Sequence, residues 1–145
     1  MDFVTGMRVT GSGMSANRMR LNTIASNLAN INTTRTPEGG PYRRKDVVFE
    51  AVQDARSFGE ILTSPEDVAT QRVQVADVLV DRGAPLLKFE PNHPEADENG
   101  NVAYPNIDLM TEMTNMIQAT RAYEANVSAM SAVKDMAITS LEIGR

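Results

Sequence analysis

Cysteine and tryptophan are both absent from this 145-residue chain, and aromatic residues make up only 5% of it. Without cysteine there is neither a disulfide framework nor a thiolate metal site. With so few large rings, a dense core built on big side chains is not expected. Histidine occurs once, at His93, so a multi-histidine metal site is excluded as well. No run approaches the roughly 20 apolar residues of a membrane span. The opening MDFVTGMRVTGSGMSANRMR has no basic segment followed by an unbroken apolar stretch, so a Sec-type signal peptide is not expected. Positive charge is also in short supply: the formal net charge of -5 argues against a general nucleic-acid binder. Its distribution is uneven, because residues 1–45 hold seven Arg/Lys against two acids, while residues 46–145 hold seven against seventeen. Such a charge dipole offers head-to-tail attraction between copies, screened beyond roughly 8 to 10 Å at ordinary salt.

What the chain does have is helical periodicity at both ends. Met7, Met14, Leu21 and Leu28 recur every seven residues, and Ile24 and Ile31 supply the intervening step, so an apolar stripe is expected along one helix. Near the other end Leu109, Met113, Met116, Tyr123, Val127, Met130, Ala137 and Leu141 repeat the spacing. All nine methionines lie in these two segments, where the unbranched thioether suits irregular packing better than it suits a metal site. Asn17, Thr120 and Lys134 are polar where the stripe expects apolar residues, a substitution that weakens a free coiled coil while fixing its register. Ends that form seams around a middle that does not describe a chain built for assembly rather than catalysis.

The first helix is expected to begin between Thr5 and Ser15, weakened by Gly6, Gly11 and Gly13, and to end near Asn30, where Asn27, Asn30 and Asn32 suit a helix exit. Residues 33–41 (TTRTPEGGP) read as loop. Residues 43–50 read as a strand, residues 53–70 resist assignment, and the valine-rich QRVQVADVLVD at 71–81 reads as a second strand. Leu86 to Glu90 is expected to pair with that strand across the turn at 82–85, and residues 91–105 to form a loop with a tight turn at Asn99-Gly100. Asn106 is the expected N-cap of the last helix, with Asp108 and Glu112 near its positive end. From Ile107 to Ile143 there is neither proline nor glycine, and Gly144 and Arg145 end the helix. The fold class is therefore α+β. Residues 1–32 and 106–145 form long helices, which pair with each other or pack among neighbours, around a small β-containing central domain at 33–105.

Three constellations invite a chemical reading. His93, between Asn92 and Pro94, is expected to be an ordinary loop histidine bonded to Glu95 or Asp97. Asp97, Asn99 and Asn101 open like a calcium loop, but Val102 stands where glycine is needed and Asp108 where a bidentate glutamate is needed, so a hydrogen-bonded turn is the default. The run Gly39-Gly40-Pro41-Tyr42-Arg43-Arg44-Lys45 lacks the phosphate-loop pattern and reads as a solvated or ion-pairing surface. No cofactor, catalytic group or metal ligand set emerges.

Several stretches together carry a resemblance. Residues 26–36 (SNLANINTTRT) resemble the N-terminal signature of flagellar rod and hook axial proteins. Residues 39–48 (GGPYRRKDVV), 93–106 (HPEADENGNVAYPN), 121–127 (RAYEANV) and 137–145 (AITSLEIGR) are similar, more narrowly, to the proximal-rod members of that family. The resemblance implies a structural subunit of the bacterial flagellar basal body, its N- and C-terminal helices paired as an antiparallel coiled-coil-like layer with the central segment as a small outer domain. It would be made in the cytoplasm, exported unfolded through the flagellar type III apparatus without a cleaved signal peptide, and polymerised in the periplasm into the rod that joins the membrane ring to the hook. Implied partners are other proximal and distal rod subunits, a rod adaptor at the membrane ring, the export apparatus and further copies of itself. Neither nucleic acid nor a small-molecule substrate is implied. The resemblance places assembly contacts at Asn27, Asn30, Asn32, Thr33, Arg121, Tyr123, Glu124 and Asn126. The seams add Met14, Leu21, Ile24, Leu28, Ile31, Met113, Met116, Val127, Met130 and Leu141. Two other readings compete: a cytoplasmic coiled-coil adaptor, which explains the seams but not the motifs, and an enzyme sited in the central region, for which no nucleophile, base and orienting group stand at a recognisable spacing.

Overall fold

The computed structural model describes residues 3–53 and 71–143. Apart from Gln53, the segment that resisted assignment lies outside these residues, as do Gly144 and Arg145. In chain order the elements are α1 (Phe3–Ala29), β1 (Lys45–Gln53), β2 (Gln71–Val80), β3 (Leu86–Phe89), β4 (Asn101–Tyr104) and α2 (Leu109–Ile143). The class is α+β: two helices with small antiparallel sheets between them.

Helix α1 begins at Phe3, earlier than its glycines suggest. The reason is tertiary. A methyl group added at Gly6 would meet the Val133 side chain at 3.7 Å, and one added at Gly13 would lie 3.0 Å from Asn126 Oδ1. These glycines are spaces into which α2 packs, and the packing outweighs their poor helix propensity of about 1 kcal/mol each. Contacts Gly6–Val133, Gly13–Asn126 and Asn27–Glu112 run in opposite senses along the two chains, so the pair is antiparallel.

The seam between the helices follows the apolar spacing only in part: it keeps Ile24 on α1 and Met116, Tyr123, Met130 and Ala137 on α2, and leaves the rest aside. On α1 the buried positions are Thr10, Gly13, Ala16, Ile24 and Asn27. On α2 Glu112, Met116, Ala119, Tyr123, Asn126, Met130, Val133 and Ala137 are buried or half-buried, in alternating four- and three-residue steps. Met14, Leu21, Leu28 and Ile31 are half-buried flanks of this line, and Met7 is exposed. Leu109, Met113, Val127 and Leu141 are exposed, as are Thr120 and Lys134. Thr120 turns its hydroxyl back to the Met116 carbonyl at 2.9 Å, and Asn17 donates to the Gly13 carbonyl at 2.9 Å, so both side chains bond within their own helix. Small residues let the two backbones approach, and the bulkier repeat is left to the sides.

β1 and β2 pair antiparallel from Lys45↔Val80 to Gln53↔Gln71, with an irregularity between Val48 and Phe49. Val47, Phe49, Val52, Val73 and Val75 are the half-buried positions of this sheet. The expected partnership of β3 with β2 is wrong: β3 pairs β4, Leu86↔Tyr104 through Phe89↔Asn101. β2 stays with the first sheet because the Asp81 N–H extends its ladder to the Arg44 carbonyl at 2.8 Å, and Asp81 Oδ1 then accepts the Gly83 N–H at 2.7 Å, turning the chain away. β4 lies within residues 91–105, where a loop is expected from the sequence. It is closed onto β3 by a turn in which Asp97 Oδ1 accepts the N–H groups of Asn99 and Asn101 at 2.9 and 2.8 Å. Gly100 takes φ 76°, and a Cβ there would lie 2.9 Å from the Phe89 ring, so glycine is required twice over. The Asp97, Asn99 and Asn101 group is thus a hydrogen-bonded turn.

Helix α2 is capped by Asp108, not Asn106. Its carboxylate accepts the N–H groups of Met110 and Thr111 at 3.3 and 3.2 Å and a short bond from the Thr111 hydroxyl. The Thr111 hydroxyl and the cap bonds hold the Asp108 carboxyl below its ordinary pKa.

Two outcomes follow. Gly13→Val places a branched side chain against Asn126 and should lower the helix content of the purified chain by circular dichroism. Gly11→Ala, where Met130 Cε stands 3.8 Å off, should raise it or leave it unchanged. Because the Asp108 pKa is lowered on folding, the cap contributes fully above the usual carboxylate range and is lost as pH falls through the depressed value. Protection factors of the first-turn amides of α2, observed exchange rates divided into the intrinsic rates at each pH, should fall on acidification in the parent chain and lose that pH dependence in Asp108→Asn.

Candidate assembly site

The helix pair and the first sheet meet at one polar cluster. Its centre is Asn27, with no exposed surface, on the last turns of α1. The Asn27 Nδ2 group donates to the Lys45 carbonyl at 2.8 Å and to Glu112 Oε2 at 3.1 Å. Its Oδ1 accepts from the Lys45 N–H at 3.0 Å and from the Tyr42 hydroxyl at 3.1 Å. The carboxamide therefore pairs with Lys45 as a neighbouring strand would, while its second amino proton reaches α2. All four hydrogen-bonding positions of the side chain are used.

Glu112, 1% exposed, brings α2 into the cluster. Its other oxygen accepts Arg44 Nε at 2.7 Å, and Arg44 Nη1 continues to Asp46 Oδ2 at 3.1 Å. Burial pulls the Arg44 pKa down, but its bonds to Glu112 and Asp46 outweigh this, and the value ends above the ordinary one. A buried carboxylate so held is a determinant of register more than of raw stability, because desolvation offsets much of the attraction. Both Arg44 and Glu112 escaped the sequence reading as partners. The available signal was that Glu112 is the only charged residue in residues 109–120, placed on a helix that otherwise opens with apolar and neutral side chains.

The asparagine-rich exit is a helix terminus. Asn30 Nδ2 returns to the Ser26 carbonyl at 2.8 Å, and the Thr33 hydroxyl donates to Asn30 Oδ1 at 3.2 Å. Ile31 is half-buried beside them and Asn32 is exposed. The stretch at 121–127 lies in the middle of α2 rather than at an end. Tyr123 and Asn126 are half-buried, with Asn126 facing Gly13 and donating to the Ala122 carbonyl at 2.8 Å, whereas Arg121 and Glu124 face solvent. Of the seam residues, Ile24 is buried, Met14, Leu21, Leu28, Met116 and Met130 are half-buried, and Met113, Val127 and Leu141 are exposed.

His93 is bonded differently from expectation: its Nδ1 accepts the Glu95 N–H at 3.2 Å, not a proton shared with a carboxylate, and its ring meets the edge of Tyr104 at 6.4 Å. Tyr104 donates to Glu90 at 2.9 Å, which raises its pKa, and Lys88 lies 4.6 Å over its ring. Among the described residues no group of three His, Cys, Asp or Glu could hold a metal ion, and no helix is long and apolar enough to cross a membrane.

Comparison with known proteins matches the two helical ends. A family described as "Flagella basal body rod protein" matches residues 7–35, and one described as "Flagellar basal body rod FlgEFG protein C-terminal" matches residues 98–143. Similarity also extends along the whole chain. The flagellar basal-body rod protein FlgC of Borreliella burgdorferi is 37% identical, over 99% of this chain and 98% of its own. FlgC of Escherichia coli O6:H1 is 39% identical over 94% of each chain, and that of Bacillus subtilis is 38% identical over 96% of each. Asn27 falls in the first matched segment and Glu112 in the second, while Arg44 lies between them.

Glu112→Ala should leave the Arg44 guanidinium without its buried counter-charge and cost about 3 kcal/mol. The double variant Arg44→Met/Glu112→Met, apolar at both positions, should recover most of that loss. Chemical denaturation of the single and double variants, followed by circular dichroism, checks the pair; a double variant as unstable as the sum of its singles would deny the coupling.

Proposed function

The chain belongs to the FlgC family of flagellar basal-body rod proteins, and on that premise we propose that it is a structural subunit of the proximal rod, polymerised through α1 and α2. Its place is the flagellar basal body, among other basal-body components. The finer reading is that it leaves the cytoplasm through the flagellar export apparatus. It would then pack between the rod adaptor at the membrane ring and the neighbouring rod subunits, further copies of itself included, as part of the drive shaft between ring and hook. The role needs surfaces rather than a reactive centre.

The observation that carries the reading is the outer face of α2. With its inner line facing α1, the helix leaves Met110, Met113, Ile117, Val127, Ile138 and Leu141 exposed, recurring at helical spacing along most of its length. Met110 and Leu141 are 70% and 75% exposed. A soluble monomer rarely carries so long an apolar line, whereas a subunit surrounded by helices of its neighbours covers it. The flanking Met14, Leu21 and Leu28 on α1 extend the same kind of surface, so the whole set of proposed contact residues divides into those that hold the helix pair and those that meet neighbours. Low aromatic content, no disulfides and a glycine-spaced α1 suit a chain that travels unfolded and gains helical order on docking.

The test separates the two layers. Val127→Asp puts a charge on the outer line and should leave the helix content of the purified chain unchanged while abolishing swimming when it replaces the parent gene. Ala119→Asp puts the charge into the buried seam, where Ala119 is 3% exposed, and should lower the helix content as well. Normal swimming with Val127→Asp would refute the outer-face assignment.

A further inference from the structure

Among the described residues the sheet formed by β1 and β2 is two-stranded, so within them each strand has one edge without a neighbouring strand. Part of it is also hazardous: Val78, Leu79 and Val80 are exposed, consecutive, uncharged and of high strand propensity. A segment of that kind at an open edge is a template for pairing with another chain.

The ladder geometry shows which backbone groups point outward. The Asp81 N–H bonds the Arg44 carbonyl, so the pairs Arg44/Asp81, Asp46/Leu79 and Val48/Asp77 face each other, and the alternating pairs Lys45/Val80 and Val47/Val78 direct their N–H and C=O groups to the two edges. Side chains meet several of these outward groups. Lys45 is bonded on both its N–H and its C=O by Asn27. Across the irregularity, the Val73 N–H is taken by the Ser12 hydroxyl of α1 at 3.1 Å. Between these two anchor points, where α1 is not the partner, the closure is local and the same on both strands: Asp46 Oδ1 accepts the Val47 N–H at 2.9 Å, and Asp77 Oδ1 accepts the Val78 N–H at 2.7 Å. Val47 and Val78 are each other's partners, so the two carboxylates occupy opposite edges at the same level of the sheet.

We propose that Asp46 and Asp77 are edge blockers, each occupying the outward N–H of the following valine so that a strand of a second copy loses that donor on each side. Asp77 and Asp81 also flank the exposed Val78-Leu79-Val80 with charge. The closure confines self-association to the helices and keeps a chain that must be stored, exported and concentrated from stacking through its central sheet. It concerns the sheet alone and holds whatever the chain assembles into.

The test uses the full chain. Asp77→Ala and Asp46→Ala, separately and together, should bind thioflavin T and form stained fibrils sooner than the parent at equal concentration. One freed edge hydrogen bond is worth up to about tenfold in an association constant. Asp77→Asn and Asp46→Asn keep an oxygen acceptor in place and should behave as the parent does. Asp77→Ala disturbs neither Arg44 nor the polar cluster, so it reads the edge even if Asp46→Ala loosens the hub. Alanine variants no faster than the parent would overturn the proposal. So would asparagine variants as fast as the alanine ones, because charge repulsion rather than the occupied N–H would then be the protection.

Discussion

Everything else in the structure hangs on the buried carboxamide of Asn27. It is the side chain through which α1 holds the backbone of β1 and, at the same time, the carboxylate of α2. A carboxamide can do this because it carries donors and an acceptor in one plane, and here none of them is left to water. An apolar residue would fill the space but leave the Lys45 N–H and C=O, the Tyr42 hydroxyl and Glu112 short of partners, each a loss of about 1–3 kcal/mol. The cluster sets where along α2 the helix α1 lies. From that anchor the seam runs through Gly13 opposite Asn126 to Gly6 opposite Val133.

The seam sets small and polar residues of α1, Thr10, Gly13, Ala16 and Asn27, against Met116, Tyr123, Met130 and Val133 of α2. The α1 side lets the backbones approach but brings little apolar area of its own beyond Ile24. The apolar area that the chain does possess is held in reserve on the outside, at Met110, Ile117, Ile138 and Leu141 among others. Partnering that surface adds the burial that the monomer lacks. The proposed link between helix order and polymerisation rests on the distribution of residue sizes around two helices. The central sheet takes the opposite course, with outward N–H groups of Lys45, Val73, Val47 and Val78 met by Asn27, Ser12, Asp46 and Asp77.

The α+β class, both long helices, the asparagine exit of α1, the loop at 33–41 and the turn at Asn99-Gly100 were legible in the sequence, because each rests on local chemistry. The face of each helix that meets the other was legible only in part. On α2 the spacing picked out Met116, Tyr123, Met130 and Ala137 of the seam, but on α1 it followed the largest hydrophobic repeat, Met7-Met14-Leu21-Leu28, whereas the buried line runs through the smaller Thr10, Gly13 and Ala16. β4 was missed because its four residues, Asn101–Tyr104, carry no alternating apolar pattern, and its existence depends on Gly100 and on β3 lying opposite. The partnership of Arg44 with Glu112 spans 68 positions, and no periodicity encodes a contact of that range. Asn27 was marked through a motif, but its role as a strand mimic required the backbone of Lys45 to be in view.

The most direct measurement is electron microscopy of basal bodies isolated from a strain lacking this gene, beside the same strain carrying it on a plasmid. A proximal-rod subunit predicts membrane rings without rod or hook in the deletion and complete structures on restoration. Intact rods and hooks in the deletion strain would contradict the account.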